Sequence, residues 1–267
     1  MSDSADVGTG VGAAGFGDAG AAGSGGTNPG GANSDGFRHE YFDDFERDHP
    51  NIFASKLALL KTAITLDGIR DAGYTVSVGA GTGSYEAALE KAGVTVNRIV
   101  EPSPDLAAQA RRRGFNVTQA YAQDVAFDDE SIDTVFYNGS AFGFIDEDTL
   151  RAVFRAHYRQ LKHGGVIALL DVPPASALGL AVQASFLIEG ESYIGSVLRS
   201  SWYADRVPRK EYWRTTEWYR NLLEESGFSR FATWQTLLRH PIYQNDAPEP
   251  VVNGYQEGSY VALVARK

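Results

Sequence analysis

Tyr74-Thr75-Val76-Ser77-Val78-Gly79-Ala80-Gly81-Thr82-Gly83-Ser84-Tyr85 is the stretch on which the fold of this chain turns. Its first half alternates and runs apolar, the pattern of a buried parallel strand. Three glycines then stand at every second position, and an amphipathic helical pattern follows at Tyr85, Ala88, Leu89 and Ala92. A strand, a tight glycine turn and a helix N-terminus together form a pocket of backbone N–H groups that suits a cofactor. Glycine belongs there because a Cβ would keep the ligand off the backbone and because the turn needs unusual backbone angles. In the dinucleotide fingerprint G-x-G-x-x-G the third glycine comes one position later, where this chain has Ser84. That spacing weakens a nicotinamide or flavin cofactor, and a glycine turn that binds nothing is the plain alternative at this point.

Downstream, residues 95–103 read as a second strand ending in an acid. Glu101 falls eighteen residues after Gly83, close to the ~20-residue offset at which an acid grips ribose hydroxyls in nucleotide-binding α/β folds. A carboxylate suits two vicinal hydroxyls because it can accept from both. A helix through Leu106, Ala107 and Ala110 leads to a third strand at 115–118, and 131–138 reads as a fourth. Residues 147–161 form a helix with His157 on its apolar stripe, where packing is the expected role. The glycines at 164 and 165 are expected to end that helix, after which 166–171 make a fully buried strand. A helix over 216–226 and final strands at 231–238 and 258–266 complete the pattern. Near-continuous apolar strands alternating with helices predict an α/β fold, a doubly wound seven-stranded, mostly parallel sheet. Ligands of such sheets sit at the carboxyl ends of the strands. Gly79, Gly81, Gly83, Glu101, the turn at 122–124, Asn138 and Asp171 all fall at such ends, which argues for a single site.

Upstream, residues 1–36 are almost entirely Gly, Ala, Ser, Asp, Asn and Thr. Such a segment cannot bury enough apolar surface to offset its ordering entropy, so a disordered tail is expected. Aromatics amid charge at 37–45 introduce a helix that Asn51 is expected to cap, running to about Arg70 with Ile52, Leu57, Leu60, Ile64 and Leu66 inward. The ordered domain is thus expected over 37–267. Within it, 37–72 form the entry segment and first helix, and a helical cap rich in aromatics is inserted after strand five at 173–214.

Composition narrows the function. Of 267 residues 43% are hydrophobic, enough for a core, and no apolar run approaches the ~18 residues of a membrane span. No charged-then-apolar leader opens the chain, so a soluble, cytoplasmic protein without a membrane partner is expected. The absence of cysteine removes disulfides, thiolate zinc sites and cysteine nucleophiles together. A net charge of −10, from 34 acidic and 24 basic residues, argues against non-specific nucleic-acid binding. It also fits an acidic surface suited to a high-salt cytoplasm, because salt screens its self-repulsion. No H-E-x-x-H, paired metal carboxylates or P-loop is present, so no metal site is expected.

Taken in order, these features resemble class I S-adenosylmethionine-dependent methyltransferases, in particular the small-molecule group called type 11. The resemblance spans about 37–267. The G-x-G-x-G run with its flanking Ala80 and Thr82 resembles motif I. Glu101-Pro102-Ser103 resembles the ribose-binding acid and its neighbours. Ala122-Gln123-Asp124-Val125-Ala126-Phe127 is similar to the family's A-E-x-L-P-F stretch along the adenine, with Gln123 for the usual Glu and Ala126 for the usual Pro. Residues 131–138 are similar to the S-F-D-x-V strand, and 161–165 to L-K-P-G-G with His163 in place of Pro. Tyr41, in an aromatic entry segment, resembles a residue that folds over the cofactor. The resemblance implies S-adenosylmethionine as cofactor, held by Tyr41, Gly79, Ala80, Gly81, Thr82, Gly83, Glu101, Pro102, Ala122, Gln123, Asp124 and Asn138.

The sulfonium of that cofactor is already activated, so methyl transfer needs an aligned nucleophile more than covalent help. Asn138-Gly139-Ser140 stands where amino-group methylases of nucleic acids and protein amides carry Asn-Pro-Pro-Tyr. The expected activity is therefore methyl transfer to a small, partly apolar acceptor at oxygen, sulfur or carbon. No general base is assigned; His39, His49, Asp171 and Tyr203 qualify by position only. A non-catalytic cofactor-binding module and a nucleotide-dependent oxidoreductase are the competing classes.

Overall fold

The computed structural model describes residues 49–180, 214–239 and 246–267. The expected tail, the entry segment with Tyr41 and His39, and most of the expected cap, with Tyr203, lie outside the described residues.

Helix α1 (Pro50–Thr65) opens with Pro at its first position, where the missing N–H costs nothing. His49, not Asn51, is therefore the capping residue, and it caps without a side-chain bond. The helix also stops short of Arg70. Leu66 turns left-handed at φ 52°, and the Thr65 hydroxyl, bonded to Lys61 O, accepts from Gly68 N at 3.1 Å. Arg70 lies beyond that end, its guanidinium bonded to Thr134 Oγ1 at 2.8 Å.

The strands β1 (Thr75–Val78), β2 (Arg98–Val100), β3 (Val117–Thr118), β4 (Ile132–Tyr137) and β5 (Leu161–Asp171) are mutually parallel. Between them run α2 (Ser84–Lys91), α3 (Pro104–Arg112) and α4 (Glu147–Gln160), the last capped by Asp146 accepting from Thr149 N. After α5 (Thr216–Glu225) come β6 (Ser229–Thr236), β7 (Val252–Asn253) and β8 (Tyr260–Arg266). The sheet order is β3-β2-β1-β4-β5-β8-β6-β7, with the last three strands antiparallel to their neighbours. The described sheet thus has eight strands rather than seven. The extra one, β7, is a two-residue edge strand with both residues exposed. It lies between Pro250 and Gly254 and is too short to show a period.

The central strands divide their side chains between two cores. Val76, Val78, Val135, Tyr137, Ile167 and Leu169 face α4 and α5, while Ile99, Phe136, Ala168 and Leu170 face α1 and α2. The glycines at 164 and 165 do not cap α4. The helix ends at Gln160, and Leu161 is already extended and paired with Ile132. Residues 162–165 then make an excursion before Val166 pairs with Thr134. Gly164 takes φ 76°, and a Cβ on Gly165 would sit 2.8 Å from Lys162 O. The chain end closes over the excursion through Lys267 N to Gly165 O at 3.0 Å.

Candidate functional site

All three glycines of the turn lie in the left-handed region, at φ 68°, 63° and 77° for Gly79, Gly81 and Gly83. Packing excludes a side chain at Gly79 and crowds one at Gly83. A Cβ on Gly79 would stand 2.4 Å from Ala141 Cβ, and one on Gly83 3.2 Å from the Phe115 ring. Gly81 instead donates its N–H to Glu101 Oε2 at 2.8 Å, while Ser103 N donates to Oε1 at 3.0 Å. Glu101 is 5% exposed. Burial pushes its carboxyl pKa up and the two N–H bonds oppose that shift. Each oxygen keeps a second acceptor direction, so the carboxylate is held in place with capacity left for vicinal hydroxyls.

Thr82, at the tip of the turn, is 1% exposed, and its hydroxyl has no hydrogen-bond partner among the described residues. Buried hydroxyls are normally satisfied, so an orphan at the tip of the glycine turn, where the glycine N–H groups are already bonded to Val100 O, Glu101 Oε2 and Ala80 O, fits a ligand that completes it. Pro102 follows Glu101 half-buried. Ala122, Gln123 and Asp124 form a single 3₁₀ turn in which Asp124 is exposed and Ala122 packs on the core facing α4. Asn138, just past β4, is buried and donates Nδ2 to Glu86 Oε1 at 2.7 Å. Glu101, the glycine turn and Asn138 therefore come together at one carboxyl edge, across β2, β1 and β4 in sheet order, while the turn at 122–124 follows β3 and packs toward α4. Asp171 closes β5 at the same edge. Burial first, and then its charge, push the phenols of Tyr219 and Tyr255 up. A cavity of about 420 Å³ lies beyond that strand end, with Pro173, Thr216, Arg220, Phe231 and Tyr255 in its wall. His49 sits at the start of α1.

Sequence reasoning missed the layer beneath the turn. Glu86, in the first turn of α2, is wholly buried, with Ser77 Oγ donating to its Oε1 at 2.6 Å. Burial, partly opposed by the bonds from Ser77 and Asn138 and by the charge of Lys56, raises its pKa to about 7. Lys56, also buried, holds its ammonium 4.2 Å from the Tyr85 ring centre and 5.3 Å from that of Tyr260. One signal was present: Ser77 stands between Val76 and Val78 in the expected buried strand, and a hydroxyl there demands a partner.

Residues 76–169 match the family model of a methyltransferase domain. Over 231 residues the chain is 27% identical to an uncharacterised protein of Methanocaldococcus jannaschii, covering 85% of this chain and 96% of that one. Its fold is similar to that of a solved SAM-dependent methyltransferase of Thermotoga maritima, described as a "possible histamine N-methyltransferase". That pair has a TM-score of 0.67 and 26% identity over 85% of this chain and 95% of that one. A SAM-dependent methyltransferase of Archaeoglobus fulgidus shares the fold at a TM-score of 0.56 and 15% identity, covering 85% and 100% of the two chains.

Proposed function

We propose, for a chain that is a class I S-adenosylmethionine-dependent methyltransferase of the type 11 group, that the methyl goes to a small, partly apolar acceptor at oxygen, sulfur or carbon. The observation that carries this is the division of the carboxyl edge. Glu101 offers acceptor capacity at β2 and the buried Thr82 hydroxyl an unused hydrogen-bonding group at the turn after β1, while a half-apolar cavity opens beyond β5. The cofactor supplies an activated methyl on a sulfonium, and the chain's task is to hold and orient it and keep water away. Glu101 is assigned to the ribose hydroxyls, Thr82 with the backbone of Gly79, Ala80, Gly81 and Gly83 to the turn-facing groups, and Asn138 to the far end. Pro102, Ala122, Gln123 and Asp124 are assigned to the adenine side, with Tyr41 as a lid. We extend the domain over 37–267, preceded by a disordered tail and carrying a cap at 173–214, and place the protein in the cytoplasm. Among the described residues no helix is long and apolar enough to cross a membrane.

A nitrogen acceptor is the second reading. Asp171 acts on two tyrosines at the end of β5, and a carboxylate with aromatic neighbours suits an amine. The similar Thermotoga maritima protein carries such a description.

Thermal unfolding in molar KCl with S-adenosylmethionine, S-adenosylhomocysteine or NAD tests the cofactor. A ligand at ~100 times its Kd adds about 2.7 kcal/mol, on the order of 5–10 °C for a chain this size. A shift with the first two and none with NAD is expected; a shift with NAD alone overturns the assignment.

A further inference from the structure

Asn138 has a two-ended amide, and the structure fixes which end faces inward. Nδ2 donates to Glu86 Oε1 at 2.7 Å and lies 3.5 Å from Ala80 O, both acceptors beneath the turn. A backbone carbonyl can only accept, and Glu86 Oε1, which already accepts from Ser77 Oγ, stays an acceptor if a proton sits on Oε2, so the flipped amide would face two acceptors with its own carbonyl. The carbonyl end, Oδ1, therefore points away from Glu86, and it takes no hydrogen bond from any described residue. Glu86 is itself locked in place, because Ser77 Oγ donates to the same Oε1 at 2.6 Å from inside β1. The unit ties β1, the first turn of α2 and the end of β4 together under the glycine turn.

The sheet order says what meets Oδ1. Glu101, on β2, marks the ribose end, and β1 separates it from β4. Strands are spaced by ~4.8 Å, so the edge at Asn138 lies about 10 Å from that at Glu101. A cofactor laid along the edge with its ribose at β2 brings its amino-acid end to β4. That end carries a carboxylate, which only accepts, and an ammonium, which only donates; of the two, the ammonium alone can pair with Oδ1.

We propose that Glu86 is a positioning residue of the cofactor site: by accepting from Nδ2 it turns the Asn138 amide so that Oδ1 accepts from the ammonium of the cofactor's amino-acid end. This rests on the cofactor assignment above. Glu86 never touches the ligand; it sets the polarity of the residue that does.

The test measures binding by calorimetry for two ligands, S-adenosylhomocysteine and 5′-methylthioadenosine, which lacks the amino-acid end. Glu86→Leu removes the acceptor and leaves no room for a replacing water. It should weaken S-adenosylhomocysteine by about ten- to a hundredfold, the range for a lost bond to a charged group, and leave 5′-methylthioadenosine unchanged. Glu86→Gln, whose own carbonyl can accept from Ser77 and Asn138, should restore most of the difference. Equal weakening of both ligands would reduce Glu86 to a support of the turn, and no weakening, or no rescue by Gln, would overturn the proposal too. If Glu86→Leu does not fold, Asn138→Ala with Glu86 intact must show the same loss for S-adenosylhomocysteine alone, and even weakening of both ligands counts against the proposal. Failure of the unaltered protein to bind S-adenosylhomocysteine would instead refute the cofactor assignment.

Discussion

Tyr137 and Asn138 are neighbours at the end of β4, yet they lead to opposite faces of the sheet and to two different kinds of buried polar cluster. Tyr137 turns toward α4, where its hydroxyl meets His157 Nε2 at 2.9 Å while Nδ1 lies 3.2 Å from Gln160 Oε1. Both ring nitrogens are used, and Phe142 packs edge-on against Tyr137 at 5.6 Å. Asn138 turns toward α2, where Glu86 collects two bonds on one oxygen and leaves Oε2 buried without a partner among the described residues. The first cluster is closed, as a structural network is. The second is left incomplete, directly under the glycine turn. The open valence that a ligand can reach is the one above it, the Thr82 hydroxyl at the tip of the turn.

The largest expected effect follows from how burial shifts the two titratable groups in opposite senses. Glu86 has a folded pKa of about 7 against an ordinary 4.5. Its contribution to stability is therefore full below pH 4.5 and is lost as pH rises through 7. His157 is pushed down by burial to about 4 from 6.5, so its contribution is full above pH 6.5 and is lost as pH falls through 4. Each amounts to about 3 kcal/mol over its window. Between pH 4.5 and 6.5 the two oppose each other. Relative to the unaltered protein, Glu86→Gln should lose stability on acidification from pH 6.5 to 4.5, and His157→Gln should lose it as pH rises over the same span. Urea unfolding across that range decides, and parallel profiles for all three proteins would dissolve the distinction between the clusters.

That asymmetry was only half legible in the sequence. The strands and the glycine turn were readable because buried parallel strands and left-handed turns each leave a local mark, at residues 75–78 and at Gly79, Gly81 and Gly83. Glu101 was readable because its offset from the turn is set by one helix and one strand. Glu86 was not: in the short helix Ser84-Tyr85-Glu86-Ala87-Ala88-Leu89-Glu90-Lys91 it looks like any solvated acid. Only the pairing of Val76 with Val135 and Ser77 with Phe136 brings Asn138 above it. Through-space partners set by strand register leave no local trace. The same holds for Gly164 and Gly165, which read as a helix terminator but serve an excursion inside β5, because the partner that shapes it is the distant chain end at Lys267.

On the closed side, Tyr137→Phe should cost about 1–3 kcal/mol, since it strips a buried His157 nitrogen of its partner. Affinity for S-adenosylhomocysteine should stay as it was, because this cluster faces away from the turn. A loss of affinity that tracks the loss of stability would mean that β4 transmits strain from one face to the other.

The smallest effect, and the finest test of the comparison, belongs to Ser77→Ala. Glu86 Oε1 would keep its bond from Asn138 and lose the one from Ser77, at a net cost of about 1 kcal/mol if the bond were an ordinary one. Removing a donor from a carboxylate also disfavours its charged form. The Glu86 pKa should therefore move further up, and the loss of stability with rising pH should extend to higher pH than in the unaltered protein. Chemical denaturation of Ser77→Ala at pH 6 and pH 8 measures both quantities. A uniform loss at both pH values would mean that Ser77 only fills space in the strand. A loss that grows toward pH 8 means that the hydroxyl helps hold the charge beneath the turn, which is what separates this side of β4 from the side that binds His157 neutral.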